Sequence, residues 1–321
     1  MNTIEQQQKD FTWLSQEVSK IIHNATWYQA HGWEFLKLGL RITLFCLGFF
    51  VVAQNYWLST IIGLLIMSYA HGGIAISGIH QARHQSFCQS YWCNRILGYL
   101  FSDFWVGQSN EWWHETHDLI HHPNTNIPSI DPPSFYFPWI NRYVYFLFIP
   151  FLAVFWFYIK SAIYLWGRWQ EFFLFLLTAT AGWAFHIGLF TSIVSLPLAI
   201  LYAYLLRSLF APLFMHLAVF NHVGLDTPKK RLPWLYHQLL TTRNIKKSWF
   251  LTGLGGNAFV ECHTEHHLFP NIPNHLLNKI RPLIKKFAEE HNYPYFEEKY
   301  FAVLAAAIRD YDKVFSVAER A

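Results

Sequence analysis

The sequence predicts an all-α integral membrane protein, four transmembrane helices with a cytosolic helical cap, and three observations carry that prediction. Hydrophobic residues make up 53% of the 321-residue chain and charged residues only 14%, against the roughly 25% charged that is usual in soluble domains. Four apolar stretches, Leu36 to Ala53, Trp57 to Ile79, Phe172 to Phe190 and Ile193 to Met215, reach or approach the roughly 20 residues a bilayer-spanning helix needs. The short connections from Gln54 to Tyr56 and from Thr191 to Ser192 contain no Lys or Arg, as the positive-inside rule expects of the outer face.

Ahead of the first span, Phe11, Leu14, Val18, Ile21 and Ile22 recur at helical spacing and predict an amphipathic helix on the membrane surface or in the cap. The first ten residues are polar, so no cleavable signal peptide is expected. A fifth apolar stretch, Tyr143 to Trp166, is broken by Pro150 and Lys160 and rich in aromatics, which favours helices lying at the interface over a span. With four spans, both termini face the cytoplasm. The chain then reads as one domain: an amphipathic cytosolic segment 1–34, two spans in 35–79, a cytosolic segment with interfacial helices in 80–170, two spans in 171–216 and a cytosolic cap in 217–321.

Three short histidine clusters carry the chemistry: HQARH with His80 and His84, HDLIHH with His117, His121 and His122, and HTEHH with His263, His266 and His267. Helical residues three to five apart lie on neighbouring turns of one face. Eight imidazoles are too many for one ion, since a mononuclear zinc site uses about four ligands in total, whereas two ions of a redox metal with open positions use roughly this number. The reading is a histidine-ligated diiron site holding two iron ions. If the fifth stretch spanned, the third cluster would lie opposite the first two, so a shared site itself requires four spans. Each ligating ring needs its second nitrogen held, and Asp118, Asn221, Asn257, Glu261 and Glu265 lie near enough in sequence to do it. His23, His31, His237, His275 and His291 stand outside the clusters and read as bystanders. The four cysteines, Cys46, Cys88, Cys93 and Cys262, form no CxxC pair, which suits a reducing compartment.

Trp112 and Trp113 before the second cluster, Thr125 and Asn126 after it, and EHHLFPNIP from Glu265 to Pro273 complete a pattern that resembles the membrane fatty acid desaturases and hydroxylases over roughly 35–310. The resemblance implies a further ligand after the last span, His222 of FNHVG, which makes nine. It also implies the reaction: dioxygen and two externally supplied electrons remove two hydrogens from adjacent acyl carbons and release water. A hydroxylase, ketolase or acetylenase would use the same site. The second cluster has a longer spacing than the usual front-end pattern, so His114 competes with His117 as its first ligand, and His117 is preferred.

Many front-end relatives carry a fused cytochrome b domain with an HPGG motif, whereas this chain has only His71-Gly72-Gly73 inside an apolar span. An external donor such as ferredoxin or a cytochrome is therefore expected. The acyl substrate would arrive linked to lipid, coenzyme A or a carrier protein, and nothing suggests nucleic acid as a partner. Lys229, Lys230, Arg231, Arg243, Lys246, Lys247, Arg281, Lys285 and Lys286 form a basic surface suited to anionic lipid, an acidic donor or carrier phosphates; Lys246 and Lys247 are the candidates for donor or carrier docking. Trp105, Trp112, Trp113 and Trp249 either line an acyl channel or anchor at the interface. Gly253, Gly255 and Gly256 allow a bend ahead of the third cluster. A histidine-rich metal transporter would line its spans with polar residues, and these spans show few beyond His186.

Overall fold

The computed structural model describes residues 3–131 and 140–312. Four helices are long and apolar enough to cross a membrane: Tyr28–Val52, Trp57–Arg83, Trp169–Thr191 and Leu196–Phe220. They coincide with the four stretches read from the sequence. The fifth stretch forms three short helices, Arg142–Leu147, Ile149–Leu152 and Ala153–Tyr164, with Pro150 in the first turn of the middle one, where its missing N–H costs no hydrogen bond. Sheet is confined, among the described residues, to one parallel ladder between Arg243–Ile245 and Phe296–Glu298.

The residues sort into two compact units. One comprises Phe35–Glu115 and Val144–Met215; the other comprises Met1–Glu34, Thr116–Tyr143 and His216–Ala321. The membrane unit packs Phe45, Leu64, Met67, Phe190 and Leu206 into one apolar cluster. It also buries a cation. Arg207 donates to His186 Nδ1 at 2.9 Å and to the Val106 carbonyl at 3.0 Å, and its guanidinium lies 4.3 Å from the Trp183 ring centroid. A charge inside a membrane bundle persists when its donors are satisfied in this way.

In the second unit, the amphipathic N-terminal helix Ile4–His23 starts on a Thr3 side-chain cap. It buries Leu14 and Val18 against Leu276, Ile280 and Ile284 of the helix Asn274–Glu290. Full burial of such side chains stabilises by about 1.5–3 kcal/mol each. The apolar stripe from Phe11 to Ile22 is thus a core face of this unit.

Close packing in the membrane unit depends on small residues. Gly182, in the third span, lies so near the Phe104 carbonyl that an added Cβ would clash with its oxygen, whereas a Cβ on Gly188 of the same helix would meet nothing within 4 Å. Gly182→Ala is therefore expected to destabilise the purified protein by about 1–3 kcal/mol through overpacking. Gly188→Ala should be neutral or slightly stabilising. Thermal unfolding of both variants in one detergent checks the contrast, and equal melting temperatures would contradict it.

Candidate metal centre

The second histidine cluster owes its shape to a π-helix. In an α-helix, residues five apart point about 140° away from each other, since each residue turns about 100°. Here His114–His121 is wound as a π-helix running directly into His122, a form common at functional sites. His117 and His122 thereby bring their ring centroids to 4.8 Å. His117 also stacks on His121 at 5.3 Å. Further along, Thr125 returns its hydroxyl to the His121 carbonyl at 2.9 Å, and Asn126 gives its side-chain amide to the His222 carbonyl at 2.9 Å. Asn126 adopts a φ of 58°, a conformation asparagine tolerates better than most residues.

The third cluster occupies the short helix His263–Leu268. Upstream, Gly256 takes φ 74° and ψ 175° and breaks the helix Trp249–Phe259, so the glycine-rich stretch is a bend. Behind the short helix, Asn244 binds the Glu265 carboxylate and receives the Thr264 amide, both at 2.9 Å.

Seven of the nine predicted ligands come together in this unit. His117, His122 and His266 offer nitrogens within 4.8 Å of one another, and so do His121, His222 and His267. His263 falls in neither group, but its Nε2 stands 2.8 Å from that of His222. His114 is in neither group. The remaining two, His80 and His84, belong to the membrane unit, where their ring centroids stand 4.8 Å apart.

The protonation of several rings follows from their neighbours. A carbonyl oxygen only accepts, so His222 must donate from Nδ1 to the Thr241 carbonyl at 3.0 Å, and His263 from Nδ1 to the Ala258 carbonyl at 2.8 Å. Neutral rings so held carry lone pairs on Nε2. Burial, followed by the charges of neighbouring histidines, holds the pKa of both His222 and His267 well below the ordinary value, which keeps them neutral. The Nε2 atoms of His222 and His263 stand 2.8 Å apart, and with both rings neutral their lone pairs face each other. Two lone pairs at that separation repel; a cation between them attracts both. Two nitrogens about 2.0–2.1 Å from one ion stand roughly 3 Å apart. The Nε2 separations of His117–His122 and His122–His266, 3.3 Å and 3.2 Å, agree with that geometry too.

His267 shows the same preparation. Gln238 gives its Nε2–H to the His122 carbonyl at 2.8 Å, which orients its amide, and its Oε1 takes the Nδ1–H of His267 at 3.0 Å. The Nε2 of His267 is left buried without a hydrogen-bond partner. His121 is held at Nδ1 by the Asp131 carboxylate at 2.9 Å. The donor set, neutral imidazoles with their outer nitrogens fixed, fits a metal that favours nitrogen ligands.

The groups holding the rings differ from those nearest in sequence. Asn221 donates to the Phe259 carbonyl at 3.0 Å and Asn257 to the Asn274 carbonyl at 2.8 Å. Glu261 accepts from Thr252. Glu265 accepts from Tyr295 at 2.6 Å, and its burial raises its pKa to about 7. These contacts brace the backbone around the third cluster. Asp118 is half-buried on the π-helix. Cys262 gives its thiol to Asn278. His237, outside the clusters, bonds the Thr125 carbonyl at 3.0 Å. Of the ring partners that sequence reasoning missed, Gln238 had a signal, a lone amide in the apolar run LYHQLL; the Thr241 and Ala258 carbonyls had none.

Removing such an outer partner typically lowers metal affinity about 10–100-fold. Gln238→Leu should show a loss in that range when apo-protein is titrated with ferrous iron. Unchanged affinity would mean that the amide does not orient His267.

Comparison with known proteins agrees with the geometry. A profile of the family described as fatty acid desaturase matches residues 53–299. Fatty acid desaturase 6 of Mus musculus is 28% identical over 94% of this chain and 90% of its own length. The Delta(5) fatty acid desaturase fat-4 of Caenorhabditis elegans is 24% identical over 75% of this chain and 61% of its own. The Delta 8-(E)-sphingolipid desaturase of Komagataella phaffii is 26% identical over 88% and 58%. No solved structure matches. With 53–299 covered by the family profile and seven buried or half-buried histidines grouped as metal ligands would be, the chain belongs to the fatty acid desaturase family.

Proposed function

We propose that this protein is a membrane-bound diiron fatty acyl desaturase, introducing a C=C bond into an acyl chain with dioxygen as oxidant and two electrons from a separate donor protein. The observation that carries the proposal is the convergence of the Nε2 atoms of His222 and His263, each ring held at Nδ1 by a main-chain carbonyl, in a chain of this family. The ligand set is the seven grouped histidines together with His80 and His84 of the first cluster, on the cytosolic face of the membrane. Iron bound there would supply the activation of dioxygen. In the net reaction, two hydrogens from adjacent carbons, two electrons and two protons reduce dioxygen to two waters.

The chain's own residues do the rest. His222, His263, His266 and His267 are buried, so water is excluded from the reacting position and competing oxidation is limited. Gln238, Asp131 and the Thr241 and Ala258 carbonyls hold each outer proton at Nδ1, leaving Nε2 free to bind. In the membrane unit, a cavity walled by Ala75, Ile76, Ile79, Val154, Phe157 and Phe214 suits a methylene chain. Ile79 directly precedes His80.

Purified protein should contain two iron ions per chain. His266→Ala and His121→Ala should abolish activity without preventing membrane insertion. His117→Ala should eliminate turnover while His114→Ala retains measurable activity; the reverse ranking would make His114 the ligand. Mass analysis of acyl chains from expressing cells should show a loss of two hydrogens. A gain of one oxygen would assign a hydroxylase instead, and an unchanged acyl pool in cells supplying dioxygen and donor would contradict the proposal.

A further inference from the structure

Among the described residues, the two most exposed large apolar side chains are Trp249, at 82%, and Phe301, at 77%; both exceed Trp57, at 76%, on a membrane span. Neither lies on a span, and both belong to the histidine-bearing unit. The parallel ladder brings their segments together. Ile245 pairs with Glu298, and the Lys246 amide extends the ladder by donating to the Glu298 carbonyl at 2.7 Å. Lys246 and Lys299 therefore leave the ladder side by side, with Lys247 and Trp249 following one strand and Phe301 the other.

Lys246, Lys247 and Lys299 are exposed, and none is in an ion pair among the described residues. The nearest carboxylate on the ladder, Glu298, is committed to Arg243 at 2.9 Å. Elsewhere on the basic surface, Arg281 and Lys285 both pair with Glu297, and Lys286 faces Glu290 at 3.6 Å. The three lysines of the ladder end thus lack anions of their own.

The helix Tyr300–Arg309 adds an apolar face. It buries Val303 and Ala307. Its opposite arc, at 100° per residue, carries exposed Phe301, Ala302, Ala305 and Arg309. An ordinary surface helix is polar on its outer side; this one has a single charge there.

We propose that Lys246, Lys247, Lys299, Trp249 and Phe301 form a membrane-contacting surface that binds the headgroups of anionic lipids, with the outer arc of Tyr300–Arg309 lying in the interfacial layer. Tryptophan flanked by lysine is the composition that interfaces select, the ring seated at headgroup depth and the ammonium groups on the phosphates. An acidic electron donor would meet the lysines but would leave two aromatic rings and an alanine face without a matching surface.

The test uses the full chain in nanodiscs. Ala305→Cys, in a background with Cys46 and Cys93 replaced by Ser, carries a nitroxide on the outer arc. Collisions with dissolved oxygen and with a water-soluble nickel chelate report depth. In discs containing phosphatidylglycerol the label should favour oxygen over nickel. Reversing each lysine to glutamate should weaken the preference for phosphatidylglycerol by at least about fivefold. The unreversed labelled protein decides depth by itself, should the reversed variants fold poorly. A label open to nickel in every lipid overturns the proposal. So does one shielded only when an acidic ferredoxin is added, which would give the surface to the donor. Insertion indifferent to phosphatidylglycerol overturns the headgroup assignment.

Discussion

Lone pairs on neighbouring imidazoles repel, and a dry interior offers no water to relieve them. Nevertheless the Nε2 atoms of His222 and His263 stand 2.8 Å apart, because each ring is tied through Nδ1 to a main-chain carbonyl on its other side. The surrounding fold supplies that restraint. The Thr241 carbonyl ends one helix, Trp234–Thr241, and the Ala258 carbonyl lies just past the bend at Gly256. A cation turns this local repulsion into a coordination bond on each side, so the energetic cost of arranging the rings is offset when metal binds.

The same economy explains the irregular helices. A regular α-helix would separate His117 from His122 by about 140°, and the π-helix His114–His121 removes that separation. Thr125 and Asn126 then stitch the second cluster to the segment bearing His222, and Gln238 bonds the backbone of His122 and the ring of His267 at once. One buried amide therefore couples the second and third clusters, which are far apart in sequence. Substitution at that position is felt by both.

Much of this was legible in the chain. The four spans were, because about 20 apolar residues in a row leave few alternatives in water or lipid; so was the break of the fifth stretch into short helices at Pro150. The histidine clusters were legible by their spacing, and His222 only through the family pattern. The outer partners were less so. Sequence proximity suggested Asn221, Asn257, Glu261 and Glu265, whose contacts instead support the backbone of the third cluster. The partners in contact include carbonyls, which every residue possesses, and Asp131, ten residues beyond His121. Hydrogen bonds to main-chain oxygen leave no trace in side-chain identity. Nor did the sequence reveal that His186 would meet Arg207 within the membrane unit, since the two lie on different spans.

The central claim is that neutral histidines bind iron through Nε2 and that no thiolate takes part. X-ray absorption at the iron edge of the purified protein tests it directly. The account predicts a first shell of nitrogen and other light atoms, with the outer-shell carbon scattering of several imidazoles and no sulfur. A sulfur shell, which would bring Cys262 into the site, or the absence of imidazole scattering would contradict it.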